Sequence, residues 1–144
     1  MVGMAAWICP SCQRRFGRTR QSHECAPAMT LAEYFSTGPE RERPIYEAVK
    51  AHLDTLGEVF VEPVSVGLFL KRTNSFVELR PMTKWVAMSF PLAESLDHPR
   101  IARRMKGSKG SSGRTYHVVN LRSADDVDDV VRDLLTRAWF EIPE

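Results

Sequence analysis

The chain has 144 residues, 43% of them hydrophobic and 26% charged, with a net charge of +2. This is the composition of a globular protein that buries a core: one medium domain plus an appendage. Three cysteines leave one over, which speaks against a disulfide scaffold, and Val2 to Ile8 is apolar but too short to span a bilayer. No basic stretch precedes it as in a leader, so a cytoplasmic location and no membrane partner are expected.

The charge is unevenly placed. Residues 1–25 carry Arg14, Arg15, Arg18 and Arg20 against Glu24, and residues 100–114 carry Arg100, Arg103, Arg104, Lys106, Lys109 and Arg114 with no acid. From residue 123 onward seven acids oppose two arginines. Two basic segments on a near-neutral chain permit an anionic partner without requiring one.

All three cysteines lie in the first element, Cys9-Pro10-Ser11-Cys12, followed after ten residues by His23-Glu24-Cys25. Thiolates and a neutral imidazole are the ligands Zn²⁺ prefers, and four in tetrahedral array close a structural site. Cys9, Cys12, His23 and Cys25 are therefore read as ligands of one Zn²⁺ per chain. A redox CxxC usually opens a helix after a strand and has no nearby His-x-Cys. A two-Cys, two-His finger would place roughly twelve residues between the pairs and its histidines three to five apart on a helix. Here His23 and Cys25 are two apart, which suits a turn. Phe16 is the expected core plug. Apolar burial cannot fold so short a segment, whereas zinc binding of about 10–16 kcal/mol can. Two roles stay open: Arg14, Arg15, Arg18 and Arg20 engage phosphates around a rigid knuckle, or the finger is a clip that docks on the main domain.

Residues 26–28 form a linker, which divides the chain into a finger-like segment, 1–27, and an α+β domain, 28–144. Thr30 and Glu33 make a capping box for a short helix through Phe35. A longer helix follows, from about Glu40 or Pro44 to Leu56, with Ile45, Val49, Leu53 and Leu56 as its apolar stripe and Gly57 as its stop. Val59 to Glu62 is a short strand, and Val64 to Lys71 alternates with Val64, Val66, Leu68 and Leu70 on one face. Ser75 to Arg80 and Lys84 to Phe90 repeat the pattern with Val77 and Leu79, then Val86, Met88 and Phe90. Leu92 to Met105 reads as a short helix or basic turn. Residues 107–113 form a loop that only superficially resembles a phosphate loop, because it lacks the terminal Gly-Lys-Ser/Thr and leads into a strand. That strand is Thr115 to Leu121. Ser123 caps the last helix, whose stripe runs from Val127 to Trp139 with Asp125 and Asp126 in the first turn. Two amphipathic helices and one apolar sheet face predict a two-layer α+β sandwich: an antiparallel sheet of about four strands with N- and C-terminal helices, preceded by the small zinc finger.

By parity, Phe69, Lys71, Phe76, Glu78, Arg80 and Trp85 fall on the other sheet face. Aromatics interleaved with basic groups form a stacking platform for bases or another flat anion. Alternatively the finger or the 92–106 segment covers this face. His117 lies on the Val119 and Leu121 side, where a hydrogen-bonded core histidine is the commoner outcome. A nuclease would use Glu78-Leu79-Arg80 as its Glu-x-Lys strand end, but that motif wants lysine and a preceding aspartate. An enzyme of any class would need Lys71, Glu78, Arg80 and His117 to converge.

The leading expectation is a zinc-containing, non-enzymatic binding protein that engages nucleic acid or another polyanion through basic surfaces. The alternative is a small-ligand or protein-interaction module that uses the aromatic and basic sheet face, and a metal-dependent nuclease-like enzyme comes third.

The stretch Glu62 to Gly67, with Phe69, Lys71, Arg72, Phe76 and Glu78 to Pro81, reads EPVSVG-x-F-x-KR…F-x-ELRP. With LDHPRI (Leu96 to Ile101), HVV-x-LR (His117 to Arg122) and the Asp-rich helix after it, the chain resembles the bacterial domain of unknown function 5655 family. Some of those domains carry a CP-x-C…F…Q-x-H-x-C segment in front, as Cys9 to Cys25 does. The resemblance covers nearly the whole chain and implies no activity. The element order is also similar to frataxin-like helix–sheet–helix domains, a likeness of topology alone.

Overall fold

The structure, a computed structural model, describes residues 7–10, 15, 16, 20, 30–36, 38–64, 66–72, 75–106 and 114–142. Its elements are β1 (Trp7–Ile8), β2 (Arg15–Phe16), α1 (Leu31–Phe35), α2 (Glu42–Asp54), β3 (Phe60–Val64), β4 (Gly67–Lys71), β5 (Ser75–Pro81), β6 (Val86–Leu92), β7 (Ile101–Lys106), β8 (Thr115–Leu121), a 3₁₀ turn (Ala124–Asp126) and α3 (Asp129–Glu141). β1 and β2 form a two-stranded ribbon. The other six strands make one antiparallel sheet in the order β3-β4-β5-β6-β8-β7. Among the described residues no helix is long and apolar enough to cross a membrane.

The helices start where side chains satisfy their first N–H groups. The Thr30 hydroxyl accepts from the Glu33 N–H at 3.1 Å, and the Thr30 N–H donates back to Glu33 Oε1 at 3.2 Å. α2 carries Pro44 in its first turn, where a missing N–H costs little. α1 is tied to α2 by the Tyr34 hydroxyl, which donates to the buried Glu42 carboxyl at 3.0 Å. Burial raises the Glu42 pKa, against the opposing pull of Tyr34 and Arg41.

One sheet face carries the core. Leu68 and Leu70, Val77 and Leu79, Val86, Met88 and Phe90, and Val119 and Leu121 alternate inward and are almost wholly buried. Ile45, Val49 and Leu53 of α2, with Val131, Leu134, Leu135 and Ala138 of α3, cover them. Trp139 closes the end of this layer. A Cβ on Gly57 would meet its ring at 2.7 Å, so only glycine fits the bend after α2. The Arg72 guanidinium lies 4.1 Å from the Trp139 ring centroid and donates to the carbonyls of Trp139 and Ile142, satisfying groups left open at the end of α3.

The fold class is α+β, and four expectations within it are corrected. Among the described residues the sheet has six strands, not about four. Val64 pairs with Gly67, so the run read as one strand from Val64 to Lys71 is a hairpin, and Val66 is 55% exposed at its turn. A Cβ on Gly67 would lie 2.5 Å from the Leu79 carbonyl oxygen, which makes glycine the natural start of β4. The basic stretch read as a helix or turn contains β7, an edge strand that Ile101 alone anchors in the core. Finally, Ser123 opens the 3₁₀ turn rather than α3. Val127 turns inward and breaks the run, and Asp128 caps α3 by accepting from the Val131 N–H at 3.2 Å.

Candidate functional site

The N-terminal segment is described in part. Trp7 pairs with Phe16 and Ile8 with Arg15, so the two strands of one hairpin flank the Cys9–Cys12 stretch. Cys9 directly follows β1 and is buried beside Trp7. A CxxC at the end of a hairpin strand is a backbone setting that lets two thiolates reach one ion. Cys12, Arg14, Arg18, His23 and Cys25 lie outside the described residues, and of Arg15 and Phe16 only the backbone pairing is described. Arg20 is exposed. Among the described residues no three His, Cys, Asp or Glu side chains form a metal-holding group.

The predicted stacking platform is dispersed. The register aligns Glu62, Phe69, Glu78, Ser89, Val118 and Arg103 across the helix-free face. Phe69, Glu78 and Arg80 therefore lie on that face, as expected. Phe76 does not. Leu70 pairs with Val77 and Lys71 with Ser75, so Phe76 is the extra residue of a bulge. It turns to the core and packs edge-to-face on Trp139 at 5.7 Å. Lys71 is nearly buried, its Nζ 3.2 Å from Glu62 Oε1. Trp85 belongs to the β5–β6 connection, where its carbonyl accepts from the Met82 N–H and Arg122 lies over its ring at 5.6 Å. Glu78 and Arg80 pair with each other at 3.2 Å.

His117 is on the opposite face. It is fully buried and stacked on Phe90 at 5.6 Å, and its Nε2 accepts from the Leu96 N–H at 2.9 Å. Among the described residues Nδ1 reaches no acceptor with good geometry, although the Thr115 and Phe90 carbonyls lie close enough to favour the charged ring. Burial dominates and lowers the pKa from the ordinary 6.5, helped by Arg104 and Arg137. The ring is thus a neutral acceptor that holds the chain after β6, and the sheet separates it from Glu78 and Arg80. These groups do not converge.

This arrangement has a pH consequence. Below the ordinary histidine pKa the unfolded chain binds a proton that folded His117 refuses, so stability is present above about pH 6.5 and is lost as pH falls. His52, also lowered by burial, acts in the same sense, while Glu42, raised by burial, acts in the opposite one. The thermal midpoint of the wild type should therefore fall more steeply between about pH 7 and 5.5 than that of His117→Gln, measured by circular dichroism. Parallel curves would show that His117 carries none of the effect.

The basic segment around β7 divides into two kinds of residue. Arg100 is structural: Nη1 binds Asp128 at 2.6 Å and Nη2 donates to the Asp126 carbonyl at 3.0 Å. Arg104 donates to the Ser95 hydroxyl at 3.0 Å. Arg103 and Lys106 are exposed and have no carboxylate partner among the described residues. Arg103 pairs across from Val118 on the helix-free face, next to Tyr116, which opposes Met105 and Pro91. Tyr116 was not among the expected surface residues. Its signal is the parity of β8, in which Tyr116, Val118 and Asn120 alternate against His117, Val119 and Leu121.

A family model described as Domain of unknown function (DUF5655) matches residues 31–140, beginning after Cys25. No curated protein and no solved structure matches the chain.

Proposed function

The chain belongs to the DUF5655 family, whose description assigns no activity. We propose that it is a zinc-containing, non-enzymatic binding protein that engages nucleic acid or another polyanion. Cys9, Cys12, His23 and Cys25 hold one structural Zn²⁺, a reading supported by the β1–β2 hairpin around the Cys9–Cys12 stretch. The bound ion supplies folding energy to the N-terminal segment and no reaction step.

The observation that carries the polyanion reading is the contrast in charge pairing around the sheet. Lys71, Arg80 and Arg100 are each matched by a carboxylate, at 3.2, 3.2 and 2.6 Å. Arg103 and Lys106, on the edge strand β7, have no such partner among the described residues. Charge on an edge strand discourages edge-to-edge pairing, and along that edge Arg103 on the helix-free face and Lys106 on the opposite face offer cations to phosphates at little desolvation cost. Arg14, Arg15, Arg18 and Arg20 add a second cluster.

Affinity for a fluorescent nucleic-acid probe should fall linearly as salt rises on logarithmic axes. In the double variant R103E/K106E the slope should drop by about 1.5, as two phosphate contacts are lost at roughly 0.7–0.9 each. A variant that binds as the wild type does, with the same slope, would refute the assignment of β7.

A further inference from the structure

Beyond bare charge, the face beside β7 has the make-up of a subsite for an unpaired base. We infer that Tyr116 and Arg103 form a single-stranded nucleic-acid subsite, Tyr116 stacking one base and Arg103 taking the adjoining phosphate; this rests on the polyanion reading above.

Three features lead there. First, this end of the helix-free face has an accessible rim over a buried floor: Arg103 and Met105 are exposed and Tyr116 is part-exposed, around the buried Val118 and Pro91. Second, register sets the two groups at useful spacing. Arg103 opposes Val118, and Tyr116 is the next residue of β8 on the same face. Such diagonal neighbours are roughly 7–8 Å apart, within the reach that joins a base to its own or a neighbouring phosphate. Third, the surroundings suit a flat anionic ligand. Ser89, Ala87 and Asn120 share this face and leave low relief, and none of the outward residues of β6, β8 and β7 is acidic. Glu78, the nearest acid along the row, is paired with Arg80. A duplex keeps its bases stacked inside and presents only backbone to such a face. A single strand offers both the ring and the phosphate, and an aromatic ring accepts any base.

The probes are fluorescent oligo(dT) and the same strand annealed to oligo(dA), titrated by anisotropy into the full chain. The wild type should prefer the single strand. Tyr116→Leu, which keeps an apolar side chain for packing, should lose about ten-fold or more on the single strand and little on the duplex, whereas Tyr116→Phe should stay within about two-fold. Circular dichroism of each variant reports whether the fold is retained, and Arg103→Ala tests the phosphate contact independently. Equal wild-type affinity for both probes, or a Tyr116→Leu variant that binds oligo(dT) as the wild type does, would overturn the subsite and leave the polyanion reading standing. Absence of salt-dependent binding to either probe would overturn both.

Discussion

Replacement of Cys12 by Ser is expected to strip the protein of zinc and unfold residues 9–25 while the sandwich stays intact. The first 25 residues are too few to fold on apolar burial, and zinc coordination supplies about 10–16 kcal/mol in comparable small modules. A serine hydroxyl is a far weaker zinc ligand than a thiolate, so most of that energy is lost. The α+β domain has a separate source of stability, since its core is drawn from residues between Tyr34 and Ala138. Metal analysis of the wild type should give about one zinc per chain, four-coordinate through sulfur and nitrogen. The variant should contain none, with amide exchange rising in residues 9–25 and an unchanged main melting transition. Stoichiometric zinc retained in Cys12→Ser would contradict the ligand set.

In the sandwich itself the largest effect is expected at Phe90. Its side chain is fully buried at the centre of the layer between sheet and helices, stacked on His117. Phe90→Ala should lower the unfolding free energy by about 3–5 kcal/mol, from the lost transfer of the ring and the cavity it leaves. A domain of this kind has only about 5–15 kcal/mol in total, so the variant should be marginal at room temperature. The cost should also extend to the chain after β6, because the ring packs the imidazole that accepts from Leu96. Denaturant unfolding should show a lower midpoint with the slope preserved. A change below about 1 kcal/mol would mean that the layer repacks around the gap, contrary to the packing described.

What could be read from the chain was what depends on near neighbours in sequence. The Thr30–Glu33 capping box, the α2 stripe, the alternation of β5, β6 and β8, and the inward setting of His117 all follow from local periodicity. Features set by pairing between distant strands could not be read that way. Phe76 has the parity of a surface residue and is buried because a bulge opposite Lys71 redirects it. β7 contains Arg103, Arg104 and Lys106 and becomes a strand through its pairing with β8, not through any apolar alternation. Arg100 looked like part of a free basic surface, but Asp128, distant in sequence, neutralises it. The candidate site shows the same division. The proposed zinc ligands rest on spacing alone, whereas Tyr116, placed on the outer face by the parity of β8, gains Arg103 as a neighbour only once β7 pairs with β8.

The polyanion reading, and the place assigned to it, can be tested in one measurement: backbone chemical-shift mapping of the zinc-loaded protein during titration with oligo(dT) at low salt. The largest shifts are expected along Ile101–Lys106 and the neighbouring half of Thr115–Leu121, with the amides of α2 and α3 unmoved. Shifts confined to the helical face, or none at all, would contradict the account.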